Sequence, residues 1–332
     1  MHGEFKVKTQ IIHIDKDNID LQKLKPAAEF LRGGGLVAFP TETVYGLGAD
    51  ALNVNAVKAI YLAKGRPSDN PLIVHVADKS WVQKLVLSIP DKAHILMDKF
   101  WPGPLTIIFK RSNIVPDAIT GGLDTVAIRM PSHPVALALI KESGVCVAAP
   151  SANTSGKPSP THAQHVIDDL SGKIDAIIDG GNSDVGVEST VIDVTCEPAV
   201  ILRPGGITLE QLRNTIGQVI IDPAIVKGSV TGVPRAPGMK YRHYSPDARV
   251  ILVDGELDKV VRKINELVLQ YQKEGHRVGI LATTQTEHLY PSGEIICAGD
   301  RQKPETIAAN LFDALREFDK RGVEIVLAET VE

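Results

Sequence analysis

Through the first two-thirds of the chain, short apolar runs alternate with stretches in which apolar positions recur every three or four residues. The runs predict strands at Gln10–Ile14, Leu36–Phe39, Leu72–Val76, Leu105–Phe109, Thr125–Arg129, Val145–Ala149, Ala176–Ile178, Thr190–Val194 and Ala199–Leu202. The longer period predicts helices at Ile19–Leu31, Val54–Ala63, Lys92–Phe100, Pro134–Glu142, Thr161–Leu170 and Leu209–Ile216. Asn55, Asp91, Thr161 and Thr208 are expected as caps or first-turn residues of their helices. Leu36–Phe39 and Val145–Ala149 are apolar at every position, which suits central strands covered on both faces.

The pattern breaks between Asp222 and Asp247, where Pro223, Gly228, Gly232, Pro234, Pro237, Gly238 and Pro246 interrupt any apolar period. Inside this stretch, Lys240 to Tyr244 crowds three potential cations and two tyrosines into five residues. A second alternation follows, with strands expected at Val250–Val253, Arg277–Leu281, Ile295–Cys297 and Glu324–Leu327 and helices at Leu257–Gln272 and Glu305–Lys320. It predicts a smaller, Rossmann-like parallel sheet. The expected organisation is an α/β domain over 1–222, a linker over 223–247 and an α/β domain over 248–332. No internal repeat or low-complexity tract is present.

Bulk properties narrow the class. A chain of 332 residues is too long for one ordinary core. Apolar residues at 43% and charged residues at 23% exclude a disordered or collagen-like chain. The longest apolar stretches, such as Val135–Ile140, are far short of a membrane span, and Met1–Gln10 has no hydrophobic signal core. Three scattered cysteines, Cys146, Cys196 and Cys297, show no zinc or redox spacing and read as core fillers in a reducing cytoplasm. A formal net charge of −4 argues against a surface that coats nucleic acid, so neither DNA nor a membrane is an expected partner.

Some motifs lead nowhere. Gly46-Leu-Gly48-Ala-Asp-Ala51 has the spacing of a dinucleotide fingerprint, but Thr41–Tyr45 separates it from the preceding strand. No P-loop and no Gly-x-Ser-x-Gly elbow occurs. His162 and His165 lack matching further ligands and are expected to face solvent.

Others suggest chemistry. Lys64-Gly65-Arg66-Pro67 can be a plain helix stop, or two cations on a stiffened loop that grip a polyphosphate. Pro150–Ser159 can be a hydroxyl-rich cap, or donors for phosphate and ribose oxygens with Gly156 permitting close approach. Phe39–Gly48, Asp124–Pro131 with Arg129, Gly186–Thr190 and Leu202–Gly206 with Arg203 repeat polar groups at successive strand ends. His75, within an apolar run, reads as a core histidine. The recurrence at strand ends predicts convergence on one phosphate-handling crevice.

The ordered sequences Pro-Thr-Glu-Thr-Val-Tyr-Gly-Leu, Lys-Gly-Arg-Pro, Ser-Ala-Asn-Thr-Ser-Gly, Glu-Ser-Thr-Val-Ile-Asp and Leu-Arg-Pro-Gly resemble the YrdC-like family. With Pro-Gly-Met-Lys-Tyr-Arg-His-Tyr-Ser-Pro and the small domain after it, the chain is similar to the long, two-domain threonylcarbamoyl-adenylate synthases. The resemblance implies a YrdC-like twisted sheet followed by a Rossmann-like domain. It implies synthesis of threonylcarbamoyl-AMP and pyrophosphate from L-threonine, bicarbonate and ATP, with Mg²⁺ carried on the phosphates. A separate transferase complex would pass the threonylcarbamoyl group to the adenosine next to the anticodon of tRNA. Carried over, Thr43, His75, Arg129, Ala149 and Ser189 would line the threonine side. Arg66, Asn70, Thr125, Ser151, Ser159 and Arg203 would hold ATP, with Lys64 at the phosphates and His243 or Tyr244 also on the nucleotide. Catalysis would rest on Lys64 and Arg66 through charge and positioning, without a covalent nucleophile. Lys240–Tyr244 would form a lid that shields a labile intermediate from water. The competing expectations are an RNA-binding module and carbamoyl transfer to another acceptor, the latter normally accompanied by zinc fingers that this sequence lacks.

Overall fold

The computed structural model describes residues 7–227, 234–237, 239 and 245–331. They fall into two compact units, the first comprising Met1–Ser155, Ser159–Asp184 and Glu188–Arg242, the second Gly156–Pro158, Val185–Val187 and His243–Glu332.

The first unit carries β1 (Gln10–His13), β2 (Val37–Phe39), β3 (Gly46–Asp50), β4 (Ile73–His75), β5 (Leu105–Lys110), β6 (Thr125–Arg129), β7 (Val147–Ala148), β8 (Ala176–Asp179), β9 (Thr190–Asp193), β10 (Ala199–Arg203) and β11 (Val219–Ile221). They form one mixed sheet in the order β1-β8-β2-β3-β7-β4-β6-β5-β9-β10-β11. The expected dinucleotide decoy Gly46–Asp50 is in fact β3, paired antiparallel with β2. Its glycines hid it from a propensity reading, and packing explains them. A Cβ on Gly48 would lie 2.8 Å from both Phe39 and Val147, so only a bare backbone fits.

The helix Leu21–Arg32 buries Leu24, Ala27, Ala28 and Leu31, the i, i+3, i+4, i+7 stripe of its sequence, and Asp20 caps it by accepting from the Gln22 N–H at 2.9 Å. Each fully buried Leu there contributes roughly 1.5–3 kcal/mol. Together with the helix Pro134–Ser143 it covers one face of β1, β8, β2 and β7, through Val37, Phe39, Val135, Leu139, Val147 and Ile178. The opposite face of the sheet is sealed along its length by helices that include Val54–Lys64, Asp91–Phe100 and Leu209–Ile216. Over β4, β6, β5 and β9 the first kind of cover stops. There, among the described residues, a small apolar cluster of Ile73, Ile108, Ala127, Val191, Leu202 and Ala236 lies on that face.

The second unit has four parallel strands, β12 (Arg249–Val253), β13 (Val278–Ala282), β14 (Glu294–Cys297) and β15 (Ile325–Glu329), in the order β12-β15-β13-β14. The helices Leu257–Lys273 and Pro304–Lys320 pack on opposite faces, one against Val278, Ile280 and Leu327, the other against Leu281, Val326 and Ala328. This is the expected Rossmann-like arrangement. At the end of β15 the buried Glu329 accepts from Thr283 at 3.1 Å, Tyr290 at 2.8 Å, Arg301 at 2.8 Å and also from Thr286. Burial and this carboxylate together hold the Tyr290 phenol far above its ordinary pKa.

Several local expectations are corrected. Asn53 caps the helix Val54–Lys64, its side chain accepting from the N–H groups of Asn55 and Ala56, and Asn55 is a first-turn residue as expected. Thr161 lies one residue before the cap position of Ala163–Leu170, whereas Thr208 forms a full capping box with Gln211. His165 is buried, with the Thr161 N–H donating to its Nδ1 and its ring 3.5 Å from that of His162, so this pair does not face solvent as expected. Of the cysteines only Cys146 is fully buried.

Candidate active site

Strand alternation assembles the site. Side chains on one face of a strand recur every second residue, so the register fixes which residues share the uncovered face. His75 on β4 pairs with Arg129 on β6, Arg129 with Thr106 on β5, and Thr106 with Val191 on β9. Stepping by two adds Ile73, Ala127 and Thr125, and Ser189 just before β9. The intervening residues Val74, Val126, Ile107 and Ile192 belong to the core on the other side. The site therefore runs along the face of the sheet, rather than sitting wholly beyond strand ends as the sequence suggested. From Thr125 to Arg129 it extends about 13 Å, at roughly 3.3 Å per residue.

At the Arg129 end the guanidinium is almost completely buried. Its Nε donates to the Gly103 carbonyl at 3.3 Å and its Nη1 to the Thr43 hydroxyl at 2.9 Å, while Nη2 lies 2.7 Å from a Glu42 carboxylate oxygen. Thr43 is held by Thr41, whose hydroxyl is 2.9 Å away. Burial alone would raise the Glu42 carboxyl, but the Arg129 charge and the nearby peptide N–H groups of Glu42 and Ser132 outweigh it and lower its pKa. Burial, reinforced by Arg129, pushes His75 down to about 3, so its imidazole is neutral. The Glu42 oxygens, Arg129 Nη2, His75 Nδ1 and His133 Nε2 are all buried without a well-directed hydrogen bond. Such a cluster is costly unless something else completes it. A fixed cation beside neutral and hydroxyl donors suits the carboxylate and side-chain oxygens of a small amino acid. Ala149 lines the same neighbourhood, its N–H donating to the Ile73 carbonyl at 2.9 Å.

Ser189 joins this pocket to the next. Its hydroxyl lies 2.7 Å from that of Thr106 and accepts from Arg203 Nη2 at 3.0 Å. Arg203 is placed by a register shift between Ile201 and Arg203, and also donates through Nε and Nη2 to the Ser189 carbonyl. Ser159 is fully buried and donates to the Glu188 carboxylate at 2.5 Å.

The loop after Val54–Lys64 begins with Gly65 in the left-handed conformation, φ 64°, which ends the helix and turns Arg66 inward. Lys64 is buried and its Nζ donates to the carbonyls of Ser151 and Asn153, both at 2.5 Å, and reaches the Asn153 side chain at 3.3 Å. The Ser155 N–H donates to the Lys64 carbonyl at 2.9 Å. Lys64 thus fastens two loops to each other. Arg66 donates to the Pro71 carbonyl at 3.0 Å and, at 3.4 Å, to that of the buried Asn70. The β4–β6 register continued back two residues brings Pro71 level with Thr125. Arg66, Asn70 and Thr125 therefore gather at the end of the face opposite Arg129, and Ser151 is tied in through its 2.6 Å hydrogen bond to Asn153. His243 and Tyr244, like the whole of Lys240–Tyr244, lie outside the described residues. The preceding segment is anchored on the first unit by Ala236, by an Arg203–Pro237 carbonyl contact at 3.5 Å and by an Arg235–Asp193 ion pair.

Three contributors escaped residue-by-residue reading: Glu42, Thr106 and Glu188. Glu42 and Glu188 stood in motifs noticed for their hydroxyls, and Thr106 in an apolar run.

Residues 29–205 match the Sua5/YciO/YrdC family model, described as telomere recombination, and residues 207–332 match the model described as the C-terminal domain of threonylcarbamoyl-AMP synthase. The chain belongs to the Sua5/YciO/YrdC family. It is 54% identical to the threonylcarbamoyl-AMP synthase of Pyrococcus abyssi over 98% of this chain and 93% of that one. It is 50% identical to the Bacillus subtilis protein of the same name over 93% and 88%. Its structure resembles P. abyssi Sua5, solved in complex with L-threonine, with a TM-score of 0.93, 54% identity and coverage of 98% and 93% of the two chains. No helix among the described residues is long and apolar enough to cross a membrane.

Proposed function

We propose that this chain is a threonylcarbamoyl-AMP synthase, which converts L-threonine, bicarbonate and ATP into threonylcarbamoyl-AMP and pyrophosphate. The observation that carries the reading is the single sheet face on which an Arg129 pocket for a small amino acid, joined to Arg203 through Ser189, is followed by an apolar floor of Ile73, Ala127 and Ile108 that ends at Arg66 and Asn70. Threonine would place its carboxylate on Arg129, with Thr43, His75, Ala149 and Ser189 around it. ATP would lie along this floor toward Asn70 and Thr125, with Ser151, Ser159 and Arg203 on its oxygens and His243 and Tyr244 of the connector as further contacts. A threonine carbamate formed at the Arg129 end would attack the α-phosphorus. Lys64, Arg66 and Arg203 would offset the charge that builds on the phosphoryl oxygens and leaving pyrophosphate. These cations and hydroxyls suit phosphate oxygens rather than a bare cation, so Mg²⁺ would enter as part of the MgATP substrate. The domain layout behind the reading is a catalytic unit over 1–222, a connector over 223–247 and a second domain over 248–332, with the expected lid Lys240–Tyr244 outside the described residues. The product would serve a separate transferase complex that modifies the adenosine beside the anticodon of tRNA, in the cytoplasm.

The test is pyrophosphate release with each substrate omitted in turn, and with other amino acids in place of threonine. Release should require both L-threonine and bicarbonate, and Arg66→Ala should lower kcat/KM at least about tenfold. Release indifferent to threonine and bicarbonate would remove the proposal.

A further inference from the structure

We propose that Glu188 is the base that takes a proton from the α-ammonium of the bound amino acid. The inference rests on the synthase reading above and assigns the proton transfer that such a reaction requires. An ammonium nitrogen has no lone pair, so threonine must lose a proton before it attacks the carbon of bicarbonate.

The geometry singles out this carboxylate. Glu188 directly precedes Ser189, the residue shared by the Arg129 pocket and Arg203. Its side chain is within electrostatic reach of both Arg203 and Arg129, the two guanidinium groups that meet around Ser189, and is held by the Ser159 hydroxyl at 2.5 Å. Its backbone is fixed from behind. The Gly206 N–H donates to the Glu188 carbonyl at 3.2 Å, and Gly205 is pressed so closely that a Cβ there would lie 2.1 Å from the Glu188 oxygen. Burial around the carboxyl outweighs Arg203, the Ser159 hydrogen bond and Arg129, and raises its pKa above the ordinary carboxylate value, which makes it a stronger base. The neighbouring alternatives are poorer bases. His75 is held down to about 3 and Glu42 is lowered and paired with Arg129.

An N–H bond of the ammonium breaks and an O–H bond forms on Glu188. The freed lone pair attacks the bicarbonate carbon, and the hydroxyl leaves as water with the second nitrogen proton. The carbamate remains, and Glu188 returns its proton to solvent. No electron changes hands.

Glu188→Gln keeps the shape and an acceptor for Ser159 but cannot take the proton. Two rates separate its roles: forward pyrophosphate release from threonine, bicarbonate and ATP, and reverse ATP formation from threonylcarbamoyl-AMP and pyrophosphate, which breaks no N–H bond. We expect the forward rate to fall by about a hundredfold or more while the reverse rate stays within about threefold. Glu188→Asp should recover part of the forward rate and its acid-side pH dependence. Equal loss in both directions, an unchanged forward rate, or a raised Mg²⁺ requirement in both directions would overturn the assignment. Absence of forward turnover in the wild type would instead strike at the synthase reading.

Discussion

Each unit contains a buried carboxylate beside an arginine, and the two pairs are finished differently. In the second unit Glu329 is saturated by three hydroxyls and Arg301. In the first, Glu42 and Arg129 touch at 2.7 Å, yet both leave buried atoms without directed partners, as do His75 and His133. A complete network stabilises one fold, whereas an incomplete one tolerates its cost where a ligand finishes it. The difference distinguishes a pair completed within its own unit from one whose buried polar atoms are open to completion by a ligand.

The largest expected effect comes from Arg129→Ala. It should lower kcat/KM for threonine by at least about a hundredfold, because it removes one partner of a buried charge-assisted contact. Steady-state kinetics with varied threonine would show it, and a loss confined to ATP affinity would break the comparison. Next, Glu329→Ala should cost about 3 kcal/mol of stability in urea unfolding, with turnover per folded molecule within about threefold. A folded Glu329→Ala protein without activity would mean that the saturated pair is functional after all. Gly205→Ala should follow, costing about 1–3 kcal/mol through the clash with Glu188 and lowering the forward rate more than the reverse. The smallest effect sharpens the role of His75. Its folded pKa near 3 lies below its unfolded value, so between pH 6.5 and 3 the unfolded chain binds more protons and acid erodes stability. In His75→Gln the urea midpoint should therefore fall less steeply over that window than in the wild type.

Much of this was legible in the chain, and the gaps have physical causes. Short apolar runs such as Thr125–Arg129 and Leu105–Phe109 mark their strands because propensity and burial agree there. β3 is hidden from a propensity reading because Gly48 answers to the close approach of Phe39 and Val147, and Gly46 to that of Ala149, a fact of tertiary packing. The Lys64–Arg66 loop stands out in the sequence for its two cations, but only the fold shows that Lys64 donates to the carbonyls of Ser151 and Asn153. Residue order could place Thr125 and Arg129 at the two ends of one strand, while bringing His75 beside Arg129 and the Arg66–Asn70 loop beside Thr125 needed the register of β4 and β6. Glu188 drew no notice because its neighbours carried the recognisable motif.

The caging of Lys64 has a practical consequence. Acylating reagents consume unprotonated, accessible amines, and this one is 2% exposed and wrapped in peptide oxygens. Its labelling rate would therefore clock the parting of the two loops, against an internal standard such as Lys259, whose side chain is 69% exposed. Slower labelling with nucleotide bound would turn a static tether into a gauge of how often the catalytic face opens.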